Sequence, residues 1–177
     1  MRPKLVLAFL TLLTTATVNA QQKGYYRTPA IYKNTVVFTA EGDLWKYDLT
    51  SGITARLTTH EGMESDPLIS PDGQQLIFTG EYEGVRELYA MSIDGGVPKR
   101  LTYDFSGVLP ACWTPDGKLL YRTNRYNTLP SAQLVKLDLS TGNGEPLPLA
   151  EAAEGSYDKD GVLFLAASQV AIHEQAL

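Results

Sequence analysis

The side chains suited to acid–base, nucleophilic or metal chemistry are few in this 177-residue sequence: His60, His173, the single cysteine Cys112, and the acid pairs Glu81 with Glu83 and Asp158 with Asp160. A Ser, His and acid triad needs a histidine held between nucleophile and acid, with oxyanion donors nearby. His60 stands in RLTTHEGMES, which reads as a solvated loop, His173 stands in the terminal stretch AASQVAIHEQAL, and no GxSxG elbow occurs. Cys112 lies between Ala111 and Trp113 in an apolar run, the setting of a buried, inert thiol. Acids two apart in a hairpin loop can point one way, but GEYEGVRE around Glu81 reads first as a soluble turn. No His or Cys cluster has metal-ligand spacing, and the Asp and Gly positions do not make a calcium loop. The expectation is a chain with no catalytic, cofactor-binding or metal-binding residue. One polar cluster remains: in YRTNRYNTLP, Tyr121, Arg122, Arg125 and Tyr126 read as an extended hairpin that could line a pore or loop surface and touch a peptide.

Hydrophobic residues make up 44% of the chain and charged residues 20%, an ordinary globular composition. A net charge of −5 argues against nucleic acid as the main partner, because phosphate binding needs a basic surface. Residues 1–20 differ from the rest: Arg2 and Lys4 precede the apolar run LVLAFLTLL, and TTATVNA ends on small residues. That is the pattern of a secretory signal peptide, and the apolar run is about half of the roughly 20 residues a spanning helix needs. We therefore expect an exported, periplasmic or secreted protein without a stable membrane span, its mature chain starting near Gln21 with a linker over 21–27. A single cysteine excludes an intramolecular disulfide, so stability must come from packing.

The elements that must position any site are announced by a repeat. SPDGQQLIF, TPDGKLLY and DKDGVLFL place Asp72, Asp116 and Asp160 on one constant spacing. Pro presets φ for a turn, Asp bonds its own backbone and Gly accepts positive φ, so each phrase reads as a hairpin turn into a strand. The runs LIF, LLY and LFL, with VVF at Val36 to Phe38, are short and wholly apolar, which suits strands covered on both faces. Next come LWKYDLTSG, LYAMSIDGG and LVKLDLSTG, whose period of two predicts one buried face and whose glycines Gly52, Gly96 and Gly142 predict tight turns. ITARLT, VPKRLT and GEPLPL follow. Pro98, Pro146, Lys99 and Arg100 suit an outer edge strand, where a missing donor or a charge is tolerated. TPAIY, DPLIS, LPACWT and EGSYD precede the turns as first strands.

Four antiparallel strands per repeat predict an all-β fold, a β-propeller of four-stranded blades. Blade one spans 28–60, blade two 61–104 and blade three 105–151, and the fourth repeat stops after its second strand. The partial propeller thus covers 28–165, followed by a divergent tail at 166–177. About three and a half blades fall short of the roughly four to eight that close a ring, so the propeller is read as incomplete.

SPDGQQLIFTGEYEGVRELYAMSIDGGVPKRLT resembles the WD40-like, PD40 blade of the Tol-system (TolB-like) periplasmic propeller and of tricorn proteases. CWTPDGKLLYRTNRYNTLPSAQLVKLDLSTGNGEPLPLAEAAEGSYDKDG is similar, more specifically, to the N-terminal propeller of tricorn-type serine peptidases. The likeness covers roughly 24–165. It implies a propeller that filters or guides peptides and unfolded polypeptides toward a serine peptidase active site built by later domains, and it carries over no catalytic residue to this chain. Three functional readings follow: a peptide-gating propeller segment of an exported tricorn-like peptidase, a TolB-like protein-binding scaffold closed by self-association, and a truncated product without independent function. The expected partners are peptides or unfolded polypeptides, together with the rest of a parent protease or a second copy that completes the ring.

Overall fold

The structure, a computed structural model, describes residues 25–126, 131–149 and 152–166. The expected signal peptide, His173 and most of the tail lie outside the described residues. Fourteen strands form four antiparallel sheets, and no helix occurs among the described residues. The first sheet runs in the order β1 (Tyr26–Tyr32), β2 (Thr35–Ala40), β3 (Asp43–Asp48), β4 (Thr54–Arg56). The second is β5 (Glu64–Ile69), β6 (Gln75–Gly80), β7 (Glu87–Ser92), β8 (Lys99–Arg100), and the third β9 (Val108–Trp113), β10 (Leu119–Thr123), β11 (Gln133–Leu137), β12 (Gly144–Pro146). The fourth pairs β13 (Glu154–Tyr157) with β14 (Leu163–Ala166). β1 packs on β5, β5 on β9 and β9 on β13, so the first strands lie innermost and the sheets fan out as an incomplete propeller. The expected fold class is the observed one. β1 begins at Tyr26, inside the span read as linker.

The turns explain why this chain folds into hairpins. Asp72 Oδ1 accepts the Ser70 hydroxyl at 2.5 Å and the Gln74 N–H at 2.9 Å, and Gly73 takes φ +77°. Those bonds, led by the one from Ser70, hold the Asp72 carboxyl below the ordinary aspartate range. Gly117 adopts the same φ of +77° in the next blade. Their surroundings differ: a Cβ on Gly73 would stand 2.1 Å from the Tyr32 ring of the first sheet, whereas one on Gly117 would meet nothing within 4 Å. Both alanine variants carry the left-handed strain, of order 1 kcal/mol. Gly73→Ala must also displace Tyr32, so its melting temperature is expected to fall further than that of Gly117→Ala, as differential scanning calorimetry would show.

Burial follows position along the arc. Leu76, Ile77 and Phe78 are fully buried, and so are Leu119 and Leu120 beside nearly buried Tyr121, as expected for strands covered on both faces. The expectation fails at the ends. In VVF only Val37 is fully buried, and in LFL Phe164 is 61% exposed. The reason lies in the register of the sheets. Leu76, Phe78, Tyr89 and Met91 pack back on Val37 and Leu44 of the first sheet, and Leu119, Tyr121, Val135 and Leu137 pack back on Ile77 and Leu88 of the second. The corresponding face of the first sheet has no preceding sheet against it among the described residues. The same absence corrects the alternation in LWKYDL: Trp45 and Tyr47 are only half-buried and Leu49 is exposed, while Tyr89, Met91, Val135 and Leu137 are buried as expected.

A second correction concerns Arg100. It lies in β8, the outermost strand of its sheet, yet its side chain is only 11% exposed. The guanidinium turns inward to paired acids, which is how a charge is tolerated away from water.

Candidate functional site

The concave wall of the arc is made by β1, β5, β9 and β13. Each of the first three carries a proline, Pro29, Pro67 or Pro110, and a break in its pairing register. A proline has no N–H to offer the ladder, and a bulge releases the adjacent backbone from it. Thr28 and Asp66, each just before a proline and at the break in register, adopt positive φ of 42° and 51°. Asp66 donates its N–H to Thr28 Oγ1 at 3.3 Å, joining the first two inner strands, and its Oδ2 accepts the Ser65 hydroxyl at 2.7 Å. Asp66 then faces a groove of about 310 Å³ whose other walls include Pro110, Ala111, Arg122 and Glu154. A wider hollow of about 460 Å³ continues from Asp66 and Thr28 to Arg27, Glu41 and Arg86. The wall therefore combines carboxylates, guanidinium groups and main chain, a surface suited to an extended polar ligand.

The structure separates the residues that the sequence grouped. Arg122 reaches the groove, but Tyr121, its neighbour on β10, is buried between the second and third sheets, where desolvation pushes its phenol up. Arg125 and Tyr126 stay with Tyr121 and away from Arg122: with Tyr103 the three border a separate cleft of about 220 Å³, where the Arg125 guanidinium lies 5.8 Å from the Tyr126 ring centre. Glu81 and Glu83 do not converge: Glu81 pairs with Arg86 Nε at 2.7 Å and Glu83 with Arg100 Nη1 at 2.5 Å. Asp158 accepts the N–H groups of Asp160 at 2.9 Å and Val162 at 2.8 Å, while Asp160 pairs with Lys159. That pair shapes a turn.

His60 Nδ1 accepts the Gly62 N–H at 2.9 Å, and its ring lies 4.0 Å from that of Tyr82. Cys112 packs with Ala111 against buried Leu120 and Leu134, and burial pushes its thiol up, which disfavours the reactive thiolate. No group of three or more His, Cys, Asp or Glu that could hold a metal occurs among the described residues.

Sequence reasoning missed two features. Asp66 gave no signal as a wall residue, because DP reads as an ordinary strand start. The other is a set of polar groups tying the third strand of a blade to its fourth, with one bond onward from Thr58 to Glu64 of the next blade. Thr58 Oγ1 accepts the Leu44 N–H at 2.8 Å and donates to Glu64 at 3.0 Å, and Arg56 pairs with Asp43. One blade later, Thr102 Oγ1 accepts the Leu88 N–H at 2.9 Å and donates to Glu87 at 2.5 Å, while Arg100 pairs with Glu87 at 3.2 Å. The recurring RLT at Arg56 to Thr58 and Arg100 to Thr102 was the legible trace of it.

Residues 23–175 match the profile of the tricorn protease N-terminal beta propeller domain. The chain is 35% identical over 138 residues to tricorn protease homolog 1 of Streptomyces coelicolor, an alignment covering 75% of this chain and 13% of that protein. A crystal structure of the tricorn protease superposes with a TM-score of 0.73 at 24% identity, covering 80% of this chain and 15% of the other. TolB from Acinetobacter baumannii superposes with a TM-score of 0.72 at 23% identity, covering 84% of this chain and 39% of TolB. At such identities the two structures speak for the fold alone.

Proposed function

Because the chain belongs to the tricorn protease N-terminal β-propeller family, we propose that it is the propeller segment of an exported tricorn-like serine peptidase, guiding or gating peptide substrates and contributing no catalytic residue of its own. The observation that carries this reading is the family match over nearly the whole chain. The concave wall supports it, since Asp66, Glu154 and Arg122 offer both charge signs along one groove, as an unfolded polypeptide of mixed sequence requires. Export rests on the pattern of Arg2 and Lys4 before LVLAFLTLL.

The test is fluorescence anisotropy with a labelled, unfolded polypeptide. Binding is expected to weaken about tenfold in Arg122→Ala, the loss of roughly one charge-assisted hydrogen bond. The purified chain is expected to leave the same polypeptide uncut. Unchanged affinity in Arg122→Ala, or hydrolysis intrinsic to the chain, would sink the proposal. The likeness to TolB favours a second reading, a periplasmic scaffold for folded proteins. That reading gains if folded partners are retained and unfolded polypeptide is not.

A further inference from the structure

We propose that the seam between the first and second sheets is a proton-operated latch, firm while Glu64 carries a proton and weakened when it is ionised. One main-chain bond recurs at every seam of the arc. Glu64 donates its N–H to the Gly42 carbonyl at 2.7 Å, Val108 to that of Arg86 at 3.1 Å and Ala152 to that of Ala132 at 3.0 Å. Each acceptor stands just before the polar residue that begins a third strand, Asp43, Glu87 or Gln133. All three donor residues are fully buried. Two of them are aliphatic, so the seam needs nothing polar at this place, and the carboxyl group of Glu64 is an addition that the fold does not require.

That carboxyl group is poorly compensated. Oε2 accepts the Thr58 hydroxyl at 3.0 Å, and Oε1 is buried without a hydrogen-bond partner among the described residues. Glu87, buried to the same degree, has four donors, a guanidinium among them. At the first seam the guanidinium of Arg56, on β4, is given to Asp43 instead. The groups that face Glu64 are Asp43 at the head of β3, Thr58 beyond β4, His60 in the loop that follows, and Tyr82 beyond β6. Burial, helped by the Asp43 carboxylate, pushes the Glu64 carboxyl up, and the Tyr82 and Thr58 hydroxyls and the His60 ring oppose this without cancelling it. The Tyr82 phenol is itself pushed up by burial and by Glu64, so it remains a donor. A buried charge so placed is relieved in two ways, by holding a proton or by opening to water, and these are the two states of the latch. Thr58 already donates to Oε2, so the proton sits on Oε1 and passes to solvent on ionisation. Ser65 and Asp66, next on the same strand, line the wider hollow of the concave wall, which places the latch at its edge. Because the folded chain holds this proton more tightly than the unfolded chain, the stability it brings is fully present below the ordinary glutamate range and is lost as pH rises through the native titration of Glu64. The inference goes beyond peptide guiding and does not depend on it.

Urea unfolding between about pH 4 and about pH 8 tests it on the unaltered chain and two variants. Glu64→Gln keeps the shape of the protonated side chain, and Glu64→Val copies the seam made by Val108. At the acid end the unaltered chain is expected to match Glu64→Gln. As pH rises, its folding constant is expected to drop severalfold relative to both variants and by the same factor against each, since only the unaltered chain has this proton to lose. Carbon-13 NMR of the unaltered chain with labelled glutamate carboxyls gives a second readout that needs no variant to be as stable as the parent. The resonance missing from either variant is expected to titrate at higher pH than the exposed glutamates. Stability curves that run parallel to those of the variants, a gap that narrows as pH rises, or a Glu64 resonance that titrates with the exposed glutamates or below them would each overturn the proposal.

Discussion

Replacing Glu87 by alanine is expected to cost about 3–5 kcal/mol of folding stability, the range for breaking a buried ion pair by removing one partner. Glu87 is almost fully buried, and its two oxygens are shared by four donors. Oε2 takes the Thr102 hydroxyl at 2.5 Å, and Oε1 takes the N–H groups of Asp104 at 2.8 Å and Phe105 at 2.9 Å together with Arg100 Nη2 at 3.2 Å. Alanine would take the acceptor from two backbone donors and the Thr102 hydroxyl at once, and one of its two carboxylate partners from a largely buried guanidinium. Arg100 would keep only its bonds to Glu83 and to the Thr102 carbonyl. Glu87→Gln retains the shape and an acceptor oxygen, so it should lose markedly less. Urea unfolding of the two variants, compared at constant m-value, reads the difference directly. If alanine and glutamine cost the same, the donors round Glu87 are satisfied by something other than its charge. Against a typical net stability of about 5–15 kcal/mol, the alanine variant would stand near the edge of folding.

The same position shows how the repeat tolerates variation. The residue before the buried leucine is Asp43 in the first blade, Glu87 in the second and Gln133 in the third, and all three reach outward strands. Asp43 pairs with Arg56, Glu87 with Arg100, and Gln133 donates its Nε2 to the carbonyls of Leu147 and Leu149, each at 3.1 Å. In every blade the polar tip ties the third strand to the segment leaving the fourth. The third blade does so without an ion pair because Gln133 is neutral and Pro146 stands where Arg56 and Arg100 stand in the others.

Why the blades were legible and the buried acids were not is a matter of range. A turn such as Ser70 to Gly73 is decided by four neighbouring residues, whose hydroxyl, carboxylate and missing Cβ suffice, and so is the register of the strands it joins. The period of two in LYAMSI is likewise local. Whether a face so defined is covered depends on a sheet some forty residues away, and this is where Phe38 and Phe164 departed from expectation. Arg100 and Glu87 are each unremarkable in an exposed-looking segment. Only the antiparallel return of β8 beside β7 puts them together. Asp66 owes its place on the wall to the break in register between Ser65 and Leu68, a consequence of pairing geometry that composition does not announce.

That dependence on neighbours yields the other large effect. Phe78→Ala is expected to cost about 3–5 kcal/mol, as for aromatic truncation in a close-packed core. Phe78 is fully buried between two sheets, with its ring stacked 5.9 Å from that of Tyr89 and edge-on to Tyr82 at 6.5 Å. Phe38 holds the matching place one blade earlier and meets Trp45 across the hairpin as Phe78 meets Tyr89. With no preceding sheet described against it, Phe38→Ala removes less buried surface and leaves no enclosed cavity, so about 1–2 kcal/mol is the expected loss. Denaturant titrations of both variants make the comparison clean. A loss for Phe38→Ala as large as for Phe78→Ala would mean that the first-sheet face is covered within the single chain. The open arc would then no longer explain the exposure of Ile31 and Leu49.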